Sequence, residues 1–177
     1  GLYMVETDET GERHFHYWRS DAAAKFYFNS ESQTKLEAAL ADQALDAVYL
    51  SGISLAILDD DSRQRLLDAV STFSRQGGKV IFDNNYRPQL WSTEQAQHWY
   101  AKLLPYVDIT LITEDDDHIV WGSEESVQSR CLRLGCKEVV IKRGCEPCKI
   151  ITTSEQGIEE RYVAASKVNK VVDTCAA

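Results

Sequence analysis

Short apolar runs alternate with longer amphipathic stretches over most of the chain. A short apolar run is typical of a buried strand, and apolar residues at helical spacing predict a helix. The predicted strands are 47–50, 79–83, 108–112 and 138–142. The predicted helices are 34–45, 62–74, 93–104, 114–121 and 124–134.

This alternation of strands and helices predicts a mostly parallel sheet with helices on both faces, which is an α/β fold. In such sheets, ligands bind in the loops that follow the carboxyl ends of the strands. We therefore expect functional residues in the loops at 51–53, 84–87, 113–116 and 143–144. Two hairpins flank this region, one formed by segments 1–6 and 14–19 and one with a turn at 155–157.

Charge narrows the range of partners, because acidic residues outnumber basic ones by 28 to 19 and the net charge is −9. This balance argues against nucleic acid or a membrane surface as a partner, since both require a basic surface. No apolar run approaches the ~20 residues that cross a bilayer, and no leader-like segment opens the chain. We expect a cytoplasmic protein whose natural N-terminus precedes Gly1.

The most informative loop is 83–88, which directly follows a predicted strand. It combines Asp83, Asn84, Asn85 and Arg87 within a few residues. A surface turn needs one Asn or Asp for its geometry. This density of polar groups therefore favours a binding site, with a capped surface turn as the alternative.

A second candidate cation ends the first hairpin. Tyr17 and Arg19 alternate with Trp18, so we expect both side chains on the same face of the strand. A hydroxyl beside a guanidinium suits a polyhydroxylated acid, since Arg holds a carboxylate through two parallel hydrogen bonds. An exposed strand end or a contact between copies is the alternative interpretation.

Other candidate chemistry is less specific. The chain contains neither G-x-G-x-x-G nor a complete P-loop. The acidic run 114–117 fits a helix start as well as a site, and His14 and His16 lack a third metal ligand, so a metal site stays unknown. Cys145 and Cys148 form a C-x-x-C, but two packed thiols on a hairpin are favoured over a redox or zinc site.

Five segments resemble the ribokinase (PfkB) family of carbohydrate kinases, and within it the kinases that act on 2-keto-3-deoxygluconate. They read YWRSDAAAKF, YLSGISLAI, KVIFDNNYRPQLW, VVIKRG and VVDTCAA, and together they cover essentially the whole chain. The resemblance implies a ribokinase-like fold, in which residues 1–20 belong to a small β-sheet lid. Residues 21–177 would form the α/β core, incomplete at both ends, and the lids would pair into a homodimer.

The same resemblance implies roles for individual residues. The residues implied to bind the sugar acid are Tyr17, Arg19, Ile53 and Arg87. The residues implied to border the nucleotide are Asn85, Tyr86, Arg87, Thr113, Lys142, Gly144 and Asp173. Thr113 and Asp116 stand where relatives often carry Asn and Glu, so the family pattern is least complete there.

The implied reaction transfers the γ-phosphoryl group of ATP, with Mg²⁺, to the 6-hydroxyl of 2-keto-3-deoxygluconate. In relatives, the aspartate that accepts the hydroxyl proton follows the segment that begins at Asp173, and DTCAA stops before it. We therefore expect no catalytic residue in this chain and no useful turnover from these 177 residues alone. The alternatives are another sugar kinase of the family, a non-catalytic sugar-acid-binding module and a redox protein.

Overall fold

The computed structural model of the protein describes residues 1–8, 13–18, 20–30, 32–42 and 44–166. The strands are Leu2–Thr7 (β1), Arg13–Trp18 (β2), Ala47–Ser51 (β3), Lys79–Asp83 (β4), Ile109–Thr113 (β5), Glu138–Arg143 (β6), Glu146–Ser154 (β7) and Gly157–Val163 (β8). The α-helices are Lys35–Ala41 (α1), Gly52–Ala56 (α2), Asp60–Arg75 (α3), Thr93–Leu103 (α4), Glu114–Trp121 (α5) and Val127–Arg133 (α6). Two 3₁₀ turns occupy Ala23–Phe26 and Leu104–Tyr106.

The strands form two separate sheets. The larger sheet has six strands in the order β3-β4-β5-β6-β7-β8, and β1 pairs with β2 in a sheet of their own. Strands β3 to β6 are parallel, whereas β7 and β8 add to the edge in antiparallel pairs. This arrangement confirms the predicted mostly parallel α/β sheet with a small additional β-sheet.

The register of the parallel strands brings their carboxyl ends to one edge. Ser51 at the end of β3 lies opposite Asp83 at the end of β4, and Thr113 at the end of β5 lies opposite Lys142. Loops that are far apart in the sequence therefore begin side by side. This edge is where the sequence predicted the functional loops.

One hydrophobic core holds the six-stranded sheet to its helices. Alternate strand residues such as Val80, Phe82 and Val139 are fully buried, and Val70 and Phe73 of α3 pack into the same core. Each such side chain contributes about 1.5–3 kcal/mol through its removal from water. The opposite face of the sheet is more open, and its edge residue Tyr49 is exposed.

Three helices differ from the prediction, and one of them is α6, which was expected over 124–134 but begins at Val127 because the Ser126 hydroxyl caps it by accepting from the Ser129 N–H. The predicted helix 34–45 ends at Ala41, because Leu45 is exposed and provides no further buried face to extend it. Its start is as expected, since the Thr34 hydroxyl and the Glu37 carboxylate form a reciprocal capping box. The five-residue helix α2 was not predicted, since a helix of one turn is too short to show a periodic pattern.

The β1–β2 sheet carries an exposed aromatic surface. Leu2, Tyr3 and Trp18 are all more than half exposed. The rings of Phe15 and Tyr17 stack with centroids 5.9 Å apart, and Tyr3 lies 6.3 Å from Tyr17. None of the helices in the described part of the chain combines the length and apolarity needed to span a bilayer.

Candidate functional site

Asn84, the residue after β4, is the centre of a hydrogen-bond network at the carboxyl edge of the sheet. Its side-chain oxygen accepts hydrogen bonds from the N–H groups of Asn85 and Thr113, each 2.9 Å long. Its amide group donates to the Thr113 carbonyl at 3.1 Å, and its own carbonyl accepts from the Tyr100 hydroxyl. With 2% of its surface exposed, Asn84 fixes the loops after β4 and β5 to each other.

The loop after β3 joins the same network. The Asn85 side chain donates to the Ser51 hydroxyl at 3.1 Å, and that hydroxyl caps α2 by accepting from the Ile53 N–H. Asn85 has a φ of 31°, a left-handed conformation that Asn tolerates better than most residues. A Cβ atom at Gly52 would lie 2.0 Å from the Asn84 carbonyl oxygen, so only glycine allows this close approach.

Two ion pairs lie at this edge. The Lys142 ammonium donates to both carboxylate oxygens of Asp83, at 2.9 and 3.1 Å. Arg87 Nη1 lies 3.7 Å from Asp116 Oδ2 and donates to the Tyr86 carbonyl at 2.6 Å. Burial raises the pKa of Asp116, the positive charge of Arg87 opposes that rise, and the nearby Asp83 carboxylate adds to it.

A cavity of about 280 Å³ lies beside this network, between the β1–β2 hairpin, the first 3₁₀ turn and the loop after β4. It is lined by Tyr17, Ser20, Lys25, Ala56, Ile57, Arg87, Gln89 and Leu90. Among the described residues that line the cavity, two are cationic, Lys25 and Arg87, and none carries a carboxylate. The charged side chains of the described lining are thus both cationic, in a chain whose net charge is −9.

The wall formed by α2 is held in place by a buried arginine. Arg63, 5% exposed, donates to the carbonyls of Leu55 at 2.8 Å and Ala56 at 3.2 Å. Its guanidinium also pairs with Asp60 at 2.7 Å and lies 5.3 Å from the centre of the Trp91 ring. These contacts satisfy the last carbonyls of a very short helix, which otherwise has few partners for them.

The structure brings together only part of the predicted substrate set. Tyr17 and Arg87 both line the cavity, whereas Ile53 lies one turn earlier on α2 than the lining residue Ile57. Arg19 and Asp173 lie outside the described residues. The predicted meeting of Arg19 with Arg87 therefore stays a prediction.

The predicted nucleotide-side residues lie at or just after the carboxyl ends of β4, β5 and β6. Asn85, Thr113 and Lys142 lie at the carboxyl edge, and Gly144 occupies the turn after β6 with a φ of 59°. Tyr86 differs from its neighbours, because its ring is buried and its hydroxyl donates to the Trp91 carbonyl at 3.1 Å. Only the backbone of Tyr86 is thus available near the Arg87 and Asp116 pair.

Sequence reasoning assigned no role to Lys25, Gln89, Ala56 or Ile57, although all four line the cavity. All four lie within the segments YWRSDAAAKF, YLSGISLAI and KVIFDNNYRPQLW, so the resemblance marked their neighbourhood but not their side chains. Placement in a cavity depends on tertiary packing. A sequence pattern alone carried no signal for it.

The remaining candidate chemistry finds little support. Among the residues that the structure describes, no group of three or more His, Cys, Asp and Glu side chains is arranged to hold a metal ion. Cys145 and Cys148 carry free thiols, with Cys145 exposed in the turn before β7 and Cys148 part-buried within that strand.

Comparison with known proteins defines the class to which this fold and edge belong. The profile of the pfkB family carbohydrate kinases matches residues 1–177. The chain belongs to the pfkB family of carbohydrate kinases. It is 47% identical over 180 residues to the 2-dehydro-3-deoxygluconokinase of Escherichia coli K12, covering all of this chain and 57% of that relative. The corresponding enzyme of Dickeya dadantii is 46% identical with the same coverage.

Solved structures agree on the fold. A PfkB protein from Polaromonas sp. JS666 superimposes with a TM-score of 0.69 at 22% identity, covering 94% of this chain and 54% of that one. An Escherichia coli protein described as ribokinase II, in complex with ATP and Mg²⁺, gives a TM-score of 0.67 at 22% identity, covering 91% and 49%. The chain thus spans about half the length of these relatives and neighbours.

Proposed function

We propose that the protein is an ATP-dependent kinase that phosphorylates the 6-hydroxyl of 2-keto-3-deoxygluconate, also called 2-dehydro-3-deoxygluconate. The observation that carries this proposal is the position of Arg87. Its side chain lines the cavity and also reaches Asp116 at the strand ends. One guanidinium can therefore face a substrate in the cavity and a phosphoryl group that arrives along the carboxyl edge.

The choice of an acidic sugar rests on the charge of the lining. A cavity with two cations and several hydrogen-bonding groups favours a ligand that is both anionic and hydroxylated. The cavity volume of about 280 Å³ suits a small sugar acid better than a larger ligand. The 2-dehydro-3-deoxygluconokinases that the chain resembles are named for such a substrate.

Phosphoryl transfer requires mainly positioning and positive potential around the transferring oxygens. Arg87 supplies positive charge, and the Asn84 network holds the loops after β4 and β5 in fixed positions before a ligand arrives. Because these groups are already in place, no free energy is spent on rearranging them when the phosphoryl group is transferred. The proton-accepting aspartate of the family follows the segment at Asp173, so none of the described residues is given that role.

The charges at the edge fit a nucleotide that brings its own Mg²⁺. Proteins typically bind nucleotide-associated Mg²⁺ through one or two carboxylates, and the phosphates and water complete its coordination. Asp83 lies close enough to Asp116 to contribute to its raised pKa, and a divalent cation nearby would favour the ionised form of Asp116. Asp116 is the residue that we assign to hold the ion, and Asn85, Thr113, Lys142 and Gly144 are the proposed nucleotide neighbours.

The test is an ADP-formation assay on the complete gene product that contains these residues. We expect turnover with 2-keto-3-deoxygluconate, and at least ~100-fold lower kcat/KM with ribose, which has no carboxylate to pair with Lys25, or with fructose 6-phosphate, whose 6-hydroxyl is already esterified. A preference for ribose would instead support another sugar kinase of the family. Tight binding of the acid without turnover would support a non-catalytic binding module. The 177-residue chain assayed alone should consume no ATP.

Two further expectations accompany this proposal. The exposed aromatic surface of β1 and β2 is of the kind that a second copy can cover, so we expect a homodimer that pairs through this sheet. An enzyme that consumes ATP and a small sugar acid is expected in the cytoplasm. Light scattering and cell fractionation of the complete gene product test these two points.

A further inference from the structure

The cavity holds a cation that the proposed chemistry at Arg87 does not use. Lys25 lies in the 3₁₀ turn Ala23–Phe26, is half-buried, and lines the cavity together with Tyr17 and Arg87. Within the described ranges, its ammonium has neither an ion pair nor a hydrogen bond. A half-buried lysine with no partner loses part of its hydration without compensation, which an anionic ligand would restore.

The two cations of the cavity differ in how far their charge is already neutralised. Arg87 lies 3.7 Å from the Asp116 carboxylate and donates to the Tyr86 carbonyl at 2.6 Å. Part of its charge is thus directed to the strand ends. Lys25 has no such neighbour among the described residues, so it presents the more available positive charge to a ligand in the cavity.

The segment that carries Lys25 is fixed to the core, so its position does not depend on a ligand. Phe28 is buried three residues later, and its carbonyl accepts a hydrogen bond from Arg65 Nη1 at 2.6 Å. Arg65 also donates to the Ser30 carbonyl at 2.6 Å and pairs with Glu37 at 2.9 Å. Specificity requires side chains supported in this way, because a mobile cation would bind any anion weakly.

We propose that Lys25 is a specificity-determining residue that binds the carboxylate of the sugar acid. This inference rests on the proposed function. The reacting 6-hydroxyl must face the strand ends, where Arg87 reaches Asp116. The carboxylate lies at the opposite end of the six-carbon chain, and Lys25 comes from a segment that contributes nothing to the strand ends. The two cations would then bind opposite ends of the substrate, with Lys25 at the carboxylate and Arg87 at the 6-hydroxyl that accepts the phosphoryl group.

The test compares two substrates that differ only in charge, using the complete gene product. One is 2-keto-3-deoxygluconate, and the other is 3-deoxyfructose, in which a CH₂OH group replaces the carboxylate. We expect Lys25→Met to lower kcat/KM for the acid by about 10- to 100-fold, the effect of one charge-assisted hydrogen bond. The kcat/KM for the alcohol, or its Ki as a competitive inhibitor, should change less than about twofold, within the range of a neutral surface change.

Two variants control this comparison. Lys25→Arg keeps the charge and should retain most of the preference for the acid. Lys35→Met removes an exposed lysine ten positions away, at the start of α1, and should leave both substrates unaffected.

The outcomes separate this inference from the proposed function. If the wild-type enzyme phosphorylates the acid and Lys25→Met keeps its preference for it, the role of Lys25 is wrong and the function stands. An equal loss on both substrates also contradicts carboxylate recognition. If the wild type does not phosphorylate the acid at all, the proposed function itself is overturned.

Discussion

The cavity is bordered by two regions that are built differently. At the strand ends, polar groups are paired with one another, as in the hydrogen bonds of the buried Asn84 to Thr113 and the pairing of the partly exposed Lys142 with Asp83. In the β1–β2 sheet, the side chains are mainly exposed, and Tyr17 is supported by stacking on Phe15. The strand ends are therefore preorganised by their own hydrogen bonds. The position of the β1–β2 sheet depends more on contacts with a ligand or a second copy.

This difference has consequences for function. Changes at the strand ends should affect folding and the rate of phosphoryl transfer, because rigid hydrogen bonds and charge are lost there. Changes in the β1–β2 sheet should mainly affect substrate affinity, because only ligand contacts are lost. Substitutions on either side of the cavity, made in the complete gene product, should therefore differ in kind as well as in size.

The largest effect is expected at Arg87. Replacing Arg87 with Met removes the charge next to the transferring phosphoryl group and should lower kcat by about 10²- to 10³-fold. Steady-state kinetics measure this loss. Arg161→Met, which removes an exposed arginine on β8, serves as the matched control. A fall in kcat of less than threefold for Arg87→Met would break the proposed link between the cavity and the strand ends.

The next effect concerns stability. Asn84→Ala removes the side-chain partner of the part-buried N–H groups of Asn85 and Thr113 and of the Thr113 carbonyl. Urea denaturation should show a loss of about 3 kcal/mol in the free energy of unfolding. Asn29→Ala removes an exposed Asn and should cost less than about 0.5 kcal/mol. Equal losses for both variants would mean that the strand ends are not specially rigid.

A smaller, pH-dependent effect is expected at Glu37, which holds Arg65 and thereby the segment that carries Lys25. Burial disfavours its ionisation, but the hydrogen bonds from Thr34 and Arg65 outweigh burial and lower the pKa of Glu37. Its ionised form therefore stabilises the fold above the unfolded-state pKa of about 4.3, and the gain is lost as pH falls through the lower folded-state value.

Glu37→Gln preserves the capping box but removes the charge beside Arg65. We expect it to lose about 1–2 kcal/mol of unfolding free energy at pH 7, and the difference from wild type should vanish below the Glu37 pKa. Urea midpoints measured across this range provide the test. Glu155→Gln, in the exposed turn after β7, is the control. A difference that stays constant with pH would contradict an electrostatic role.

The smallest effect is expected in the β1–β2 sheet. Tyr17→Phe removes a single hydroxyl from the cavity and should raise KM for the sugar acid by about two- to tenfold, with little change in kcat. Tyr3→Phe removes an exposed hydroxyl from the neighbouring strand and should leave KM unchanged. If Tyr17→Phe changed kcat more than KM, the β1–β2 sheet would not act mainly on substrate affinity, and its contrast with the strand ends would be wrong.

Much of the sheet could be predicted from the sequence, because strand and helix patterns are local. The bounds of β4 and α5 match their predicted segments, and the loop after β4 contributes Arg87, Gln89 and Leu90 to the cavity lining. The role of Asn84 was not visible, since its partner Thr113 is 29 residues away in the chain. The left-handed turn at Asn85 likewise places the Tyr86 ring in the core. The alternation of buried and exposed residues along a strand does not predict this placement.

The most direct test of the central claim is a crystal structure of the complete gene product with 2-keto-3-deoxygluconate and a non-hydrolysable ATP analogue. The acid should occupy the cavity between Tyr17 and Arg87, with its carboxylate about 2.7–2.9 Å from Lys25 Nζ and its 6-hydroxyl turned towards Arg87. An acid bound elsewhere on the protein, or one in the cavity with no contact to Arg87, would contradict the account.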